Sequence, residues 1–104
     1  MGNPIQKNGF LNTQISQVYR HNNSKTFLRV KSILITNTVA GAYIVTLYMQ
    51  KIGEDPIKMY TINFRDGDWG LDNENYDLTR DVALMAKANI ETVSFTINGE
   101  EEKV

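Results

Sequence analysis

The stretch from Val18 to Met49 reads VYRHNNSKTFLRVKSILITNTVAGAYIVTLYM and decides the fold class. Two runs rich in β-branched and aromatic residues, 26–36 and 42–50, flank the short connection Asn37-Thr38-Val39-Ala40-Gly41. This order is typical of two antiparallel strands joined by a loop of three to five residues. The chain is therefore predicted to be built around antiparallel β-structure, with these two runs forming a β-hairpin.

The first run changes the phase of its alternation. Its first apolar pair, Leu28 and Val30, has one parity, whereas its second pair, Ile33 and Ile35, has the other. Because side chains alternate between the two faces of a strand, both pairs point inward only if one extra residue is inserted between them. The pattern therefore predicts a β-bulge at Lys31-Ser32.

Two local alternatives stay open. Leu34 continues the parity of the first apolar pair, and a strand end that is buried on both faces would need no bulge. Residues 81–89 alternate like a strand but also contain good helix formers, so a helix is the competing interpretation there.

The remaining segments extend the β pattern. Residues 91–98 have the clearest alternation, with Val93, Phe95 and Ile97 predicted to point inward. Further strands are predicted at 14–20, 57–64 and 82–87, with a short one at the end of 71–79. Short strands separated by turns predict an all-β chain: one antiparallel, jelly-roll-like β-sandwich of about seven to eight strands.

The chain of 104 residues has room for a single domain. Residues 1–12 are rich in glycine and asparagine and are interpreted as an N-terminal arm, followed by a sandwich over 13–99 and an acidic C-terminal tail over 100–104. The arm carries Phe10 and Leu11, which are predicted to contact a partner. Deleting 2–12 is expected to leave a folded domain that assembles less well.

Bulk composition limits the function classes. The formal net charge of −1 argues against nucleic-acid binding as the main task, and no apolar run approaches the ~18 residues of a membrane span. The N-terminus lacks the pattern of a signal peptide, which predicts folding in the cytoplasm. With no cysteine, disulfides and thiolate chemistry are excluded.

No catalytic or metal-binding pattern is complete. The single histidine, His21, lies in a polar turn and is interpreted as a solvated loop residue, and no serine has the surroundings of a nucleophile. An acidic cluster departs from the calcium-loop pattern at Gly70 and Leu71. It comprises Asp66, Asp68, Asp72, Glu74, Asp77 and Asp81. We therefore predict no enzyme activity, no cofactor and no metal site.

Two features favour a binding surface. Trp69, the only tryptophan, is interpreted either as a plug at the end of the sandwich or as an aromatic anchor for a partner. A basic group opposes the acidic loops, which suits packing between identical copies, although it also fits ordinary mixed surface charge. The group comprises Arg20, Lys25, Arg29 and Lys31, of which Arg29 and Lys31 are the predicted partner contacts.

Short strings in this region resemble a known family. They are Val18-Tyr19, Ser24-Lys25-Thr26, Val30-Lys31-Ser32-Ile33, Asn37-Thr38 and Val45-Thr46-Leu47-Tyr48. In this order they resemble small β-sandwich virion proteins of tailed bacteriophages. The first turn departs from the family pattern, because Arg20-His21-Asn22-Asn23 replaces the usual Val-Pro and a small residue.

The resemblance implies a function without catalytic residues. Such proteins are structural parts of heads, necks, tails or fibres, so the implied partners are other virion proteins and further copies of the chain, in a homo-oligomer within the virion. The alternative is a carbohydrate- or receptor-binding module, in which Trp69 and tyrosines such as Tyr43, Tyr48 or Tyr76 stack on sugar rings.

Overall fold

The computed structural model describes residues 3–39, 41–65, 70–72 and 76–104, without the side chains of Tyr60, 70–72 and Tyr76. These residues form antiparallel β-strands and no helix, so none of them forms a helix long and apolar enough to cross a membrane. The strands are β1 (Asn3–Phe10), β2 (Ser16–Arg20), β3 (Thr26–Asn37), β4 (Tyr43–Lys51), β5 (Ile57–Phe64), β6 (Gly70–Asp72), β7 (Tyr76–Leu78), β8 (Val82–Ala88) and β9 (Val93–Lys103).

The strands form two packed sheets. The first has the order β1-β9-β3, with β6 and β7 both pairing with the far edge of β3, and the second has the order β2-β8-β4-β5. Since β6 and β7 follow each other along β3, the described strands occupy eight positions. This order is that of a jelly roll. The predicted jelly-roll-like antiparallel sandwich is confirmed, although β9, with 11 residues, continues beyond the predicted strand over 91–98.

The core lies between the sheets and follows the predicted alternation. On β9, Val93, Phe95 and Ile97 are buried as expected, and on β4 the ring of Tyr43 stacks on that of Phe64 with centroids 4.6 Å apart. Offset stacking of this kind adds to the stability that burial provides. The other buried apolar residues of the core are Leu11, Val18, Leu28, Val30, Ile33, Ile35, Val45, Leu47, Leu78, Leu84, Ala86, Ala88.

The bulge in β3 is confirmed, but β3 pairs with β9 and not with β4 as predicted. The register between β3 and β9 shifts between Val30 and Ser32, leaving Lys31 as the exposed extra residue. Leu34 is half-buried and pairs with Thr96, so this end of β3 is not buried on both faces. The predicted hairpin between β3 and β4 is wrong. Strand β3 lies in the first sheet and β4 in the second, so the two strands bury a face against the same core from opposite sides.

Residues 82–88 form a strand, which excludes the helical alternative. Strand β8 lies between β2 and β4, and its side chains Leu84, Ala86 and Ala88 are buried. The backbone pairing on both sides and this burial outweigh the helix propensity of the segment, since tertiary context routinely overrides so weak a preference.

The N-terminal segment belongs to the sandwich, which corrects the prediction of a separate arm. All residues of β1 pair with β9, from Asn3 opposite Glu101 to Phe10 opposite Ser94. At Gly9, an added Cβ would lie 2.9 Å from the ring of Phe95, so the glycine lets the strand lie directly on that ring. Backbone pairing rather than apolar content holds this strand in place.

The C-terminal segment is also ordered within the first sheet, which corrects the prediction of a solvated tail. Strand β9 continues to Lys103, and its acidic residues pair with β3 on one side and β1 on the other. Glu100, for example, lies opposite Arg29 on β3 and Pro4 on β1. Neighbouring basic side chains and paired backbone groups stabilise a stretch that looks unstructured by composition.

Candidate functional site

The structure separates the two residues predicted to act together in the arm. The side chain of Phe10 is 65% exposed, whereas Leu11 is 3% exposed and lies in the core of its own subunit. The two side chains point to opposite sides because they are neighbours at the end of a strand. Phe10 therefore remains available to a partner, and Leu11 does not.

The predicted basic group does not form one patch. Arg20 lies on β2 in the second sheet, and Arg29 and Lys31 lie on β3 in the first. The Nε atom of Arg29 donates a hydrogen bond of 3.1 Å to Asp77, and this bond, with the negative charge of Asp77, raises the pKa of Arg29. Both side chains are largely solvent-exposed, so their ion pair adds little stability. Lys31 stays exposed at the bulge.

Several predicted features fall outside the described residues. These are Trp69 and the carboxylates Asp66, Asp68 and Glu74, and the side chains of Asp72 and Tyr76. Elsewhere in the described part of the chain, His, Asp and Glu do not form any group of three that could hold a metal ion. Two tyrosines named for sugar stacking, Tyr43 and Tyr48, are buried and present no ring face to a ligand.

His21 is not the solvated loop residue that the sequence indicated. Its side chain is 3% exposed and lies between β2 and the ends of β3 and β9. Its Nδ1 atom lies 3.1 Å from the hydroxyl of Tyr19, and its Nε2 atom lies 2.7 Å from Thr26 Oγ1 and 3.3 Å from Glu101 Oε2. These four residues form a polar cluster at one end of the sandwich, which we call the His21 cluster.

Donor counting assigns the protons of the His21 cluster. Thr26 donates its hydroxyl proton to Glu101 at 2.8 Å, so Thr26 accepts a hydrogen bond from His21 Nε2. In the neutral ring with its proton on Nε2, the Nδ1 atom accepts the hydroxyl proton of Tyr19. The imidazole is 3% exposed, and both ring nitrogens have partners within the protein. The cluster therefore ties β2, β3 and β9 together.

An open recess of about 650 Å³ lies beside the His21 cluster. Lys7 projects into it from β1, with its Nζ atom 5.7 Å from the centre of the Tyr19 ring. The lining is mostly polar and carries charges of both signs. It consists of Ile5, Lys7, Tyr19, Arg20, His21, Asn22, Asn23, Ser24 and Glu101.

One sequence signal could have located part of the cluster. The inward alternation of β9 continues from Ile97 through Gly99, so it places Glu101 on the inner face as well. No local signal marks His21, because its partners Thr26 and Glu101 come together only when β3 pairs with β9.

The cluster predicts a dependence of stability on alkaline pH. Burial, and secondly the negative charge of Glu101, raises the pKa of Tyr19 above its ordinary value of about 10. Above that pH the unfolded chain loses this proton while the folded protein retains it, so the free energy of unfolding falls as pH rises. Between about pH 8 and about pH 11, we expect the free energy of unfolding, measured in urea, to fall less in Tyr19→Phe than in the wild type. Equal declines in both proteins would contradict this assignment.

Comparisons with known proteins identify no family. The chain matches no protein-family model and no curated protein. It is similar to a solved structure described as "Bacillus endospore appendages form a novel family of disulfide-linked pili", with 13% sequence identity, a TM-score of 0.43, and coverage of 96% of this chain and 90% of that chain. A similarity at this level carries no argument about function.

Proposed function

We propose that this protein is a non-enzymatic structural component of a phage virion, present in multiple copies on the head, neck or tail. Its partners in this proposal are further copies of itself and other virion proteins. The observation that carries the proposal is the position of the residues that resemble the phage family. Most of their apolar members lie in the core of the jelly roll.

Three of these family-like strings lie on β2, β3 and β4, and the other two lie at the ends of β3. Val18 on β2, Val30 and Ile33 on β3, and Val45 and Leu47 on β4 are all buried, and Lys31 is the bulge residue between two of them. The resemblance therefore concerns the positions that determine the fold. Jelly rolls occur in viral capsid proteins as well as in lectins and cupins, so the fold is compatible with the virion role without requiring it.

The His21 cluster supports a structural role. Its side chains come from β2, β3 and β9 and the turn after β2, and their hydrogen bonds join the two sheets at one end of the sandwich. The buried positions of Tyr43 and Tyr48 remove the stacking surfaces on which the carbohydrate-binding alternative partly relied. Among the described residues, we therefore find no specific observation that favours this alternative.

The proposal is tested by locating the protein in purified particles. Quantitative mass spectrometry of gradient-purified virions is expected to detect this chain at a constant multiple of a known particle component. The matched control is the particle-free fraction of the same lysate, in which the chain is expected to be depleted relative to that component. Abundant protein in the lysate with none in the particles would overturn the proposal.

A further inference from the structure

Two asparagine-glycine pairs occur in the chain, and both lie in the first sheet. Asn8-Gly9 is in β1, and Asn98-Gly99 is in β9. Glycine has no Cβ to shield its backbone nitrogen. An asparagine that precedes glycine is for this reason especially prone to spontaneous loss of its side-chain amide.

The chemistry is an intramolecular attack followed by hydrolysis. The glycine nitrogen forms a bond to the side-chain carbonyl carbon of asparagine, the bond from that carbon to the amide nitrogen breaks, and ammonia leaves with the proton of the glycine amide. Water then opens the cyclic succinimide at either carbonyl, giving aspartate or isoaspartate. The attack requires the side chain and the next peptide unit to rotate towards each other, so a paired strand must first open.

The pair in β9 is held on both sides. Strand β9 lies between β1 and β3, so opening Asn98-Gly99 breaks the backbone pairing to two neighbours. The side chain of Asn98 also accepts a hydrogen bond of 3.1 Å from Gln6 and donates one of 3.4 Å to Ser32. Gly99 is buried. This site therefore opens only when the centre of the first sheet opens.

The pair in β1 is held on one side. Among the described strands, β1 is the edge of the first sheet and pairs with β9 alone. The side chain of Asn8 is exposed and makes no hydrogen bond within the described part of the chain, and Gly9 is half-buried. An edge strand opens locally at a lower free energy than a central strand, because fewer backbone pairs are broken.

We propose that Asn8 is a site of spontaneous deamidation in the folded protein, and that its isoaspartate product loosens β1. In isoaspartate the backbone runs through the former side chain and gains an atom, so β1 no longer matches β9 residue for residue. Leu11 holds the segment that follows, because its side chain is buried and its backbone nitrogen donates a hydrogen bond of 2.8 Å to β9. The mismatch therefore falls on residues 3–7, which include Lys7 at the open recess.

The test compares the two sites within the same molecules. Folded protein is kept in mildly alkaline buffer below its unfolding temperature, and mass spectrometry of digested samples measures the fraction of each asparagine converted over time. A sample taken at the start corrects for conversion during digestion. Conversion is expected to be about tenfold or more faster at Asn8 than at Asn98. In denaturant, the control sample should convert both sites at similar rates, because both asparagines precede glycine.

Asn8→Gln is the matched variant, since glutamine forms the corresponding ring far more slowly. After ageing, the free energy of unfolding in urea should fall for the wild type and stay constant for Asn8→Gln. Equal conversion of the two sites in the folded protein overturns the proposal, as does an unconverted Asn8 over a period in which the denatured chain reacts. An aged wild type that keeps its stability with most of its Asn8 converted to isoaspartate also overturns it. The reaction needs no partner protein, so the composition of purified particles tests the virion role separately.

Discussion

Replacing Gly99 by alanine is expected to lower the free energy of unfolding by about 2 to 3 kcal/mol, as overpacking of a closed site does. An added Cβ would lie 2.5 Å from the carbonyl oxygen of Arg29 and 3.0 Å from Cδ1 of Leu28. The oxygen belongs to the backbone of β3, two residues before the bulge residue Lys31, so it moves only if the ladder between β3 and β9 is distorted. Urea unfolding of the variant and the wild type measures the difference.

Gly9→Ala is the matched control for this prediction. Its added Cβ would also be crowded, at 2.9 Å, but the atoms that it meets belong to the ring of Phe95. A side chain can tilt where a paired backbone cannot, and β1 is an edge strand with only one neighbour. We expect a cost of about 1 kcal/mol, at the low end of overpacking effects. A Gly99→Ala protein as stable as the wild type would show that β3 and β9 separate easily.

His21→Ala is expected to destabilise the protein by about 2 to 4 kcal/mol, because it removes a buried hydrogen-bonded group and creates a small cavity. The change leaves the hydroxyl of Tyr19 without its acceptor. It also removes the Nε2 donor from Thr26 and Glu101, which hold each other at 2.8 Å. These residues lie on three different strands, so the effect is expected to reach both sheets.

The neighbouring residue provides the control. Asn22 is exposed in the same turn, and Asn22→Ala should change the stability by no more than about 0.5 kcal/mol. Chemical unfolding of both variants measures the difference in stability. The single variant Glu101→Ala and the double variant His21→Ala/Glu101→Ala complete a cycle that measures how strongly His21 and Glu101 are coupled. A His21→Ala protein with wild-type stability would show that His21 contributes no more to stability than a solvated turn residue does.

Much of the fold could be predicted from local alternation. The inward positions Val93, Phe95 and Ile97 and the extra residue at the bulge follow from the period of a strand, because burial of one face constrains every second side chain. The alternation of apolar residues along a strand indicates which face is buried, but it does not indicate which other strand pairs with it. For this reason the pattern predicts a hairpin between β3 and β4, whereas β3 pairs with β9 in the folded protein.

Less of the candidate site than of the fold could be predicted from the sequence. Phe10 is exposed and its contact with a partner stays a prediction, whereas its neighbour Leu11 belongs to the core, and only the position of β1 on β9 distinguishes them. Arg29 and Lys31 were placed with Arg20 in one basic group, yet the assignment of strands to sheets separates them. Predictions about Trp69 stay predictions, because this residue lies outside the described part of the chain.

By itself, the sequence determined that the chain is an antiparallel sandwich with a bulge in β3, since these features depend on periodicity within one strand. Only the tertiary structure decided that the N-terminal and C-terminal segments are strands, and that His21 is buried. The backbone groups of β1 and the acidic end of β9 are satisfied by pairing, and His21 is satisfied by Thr26 and Glu101. Those partners are distant in sequence, so the free energy that orders these residues exists only in the assembled sandwich.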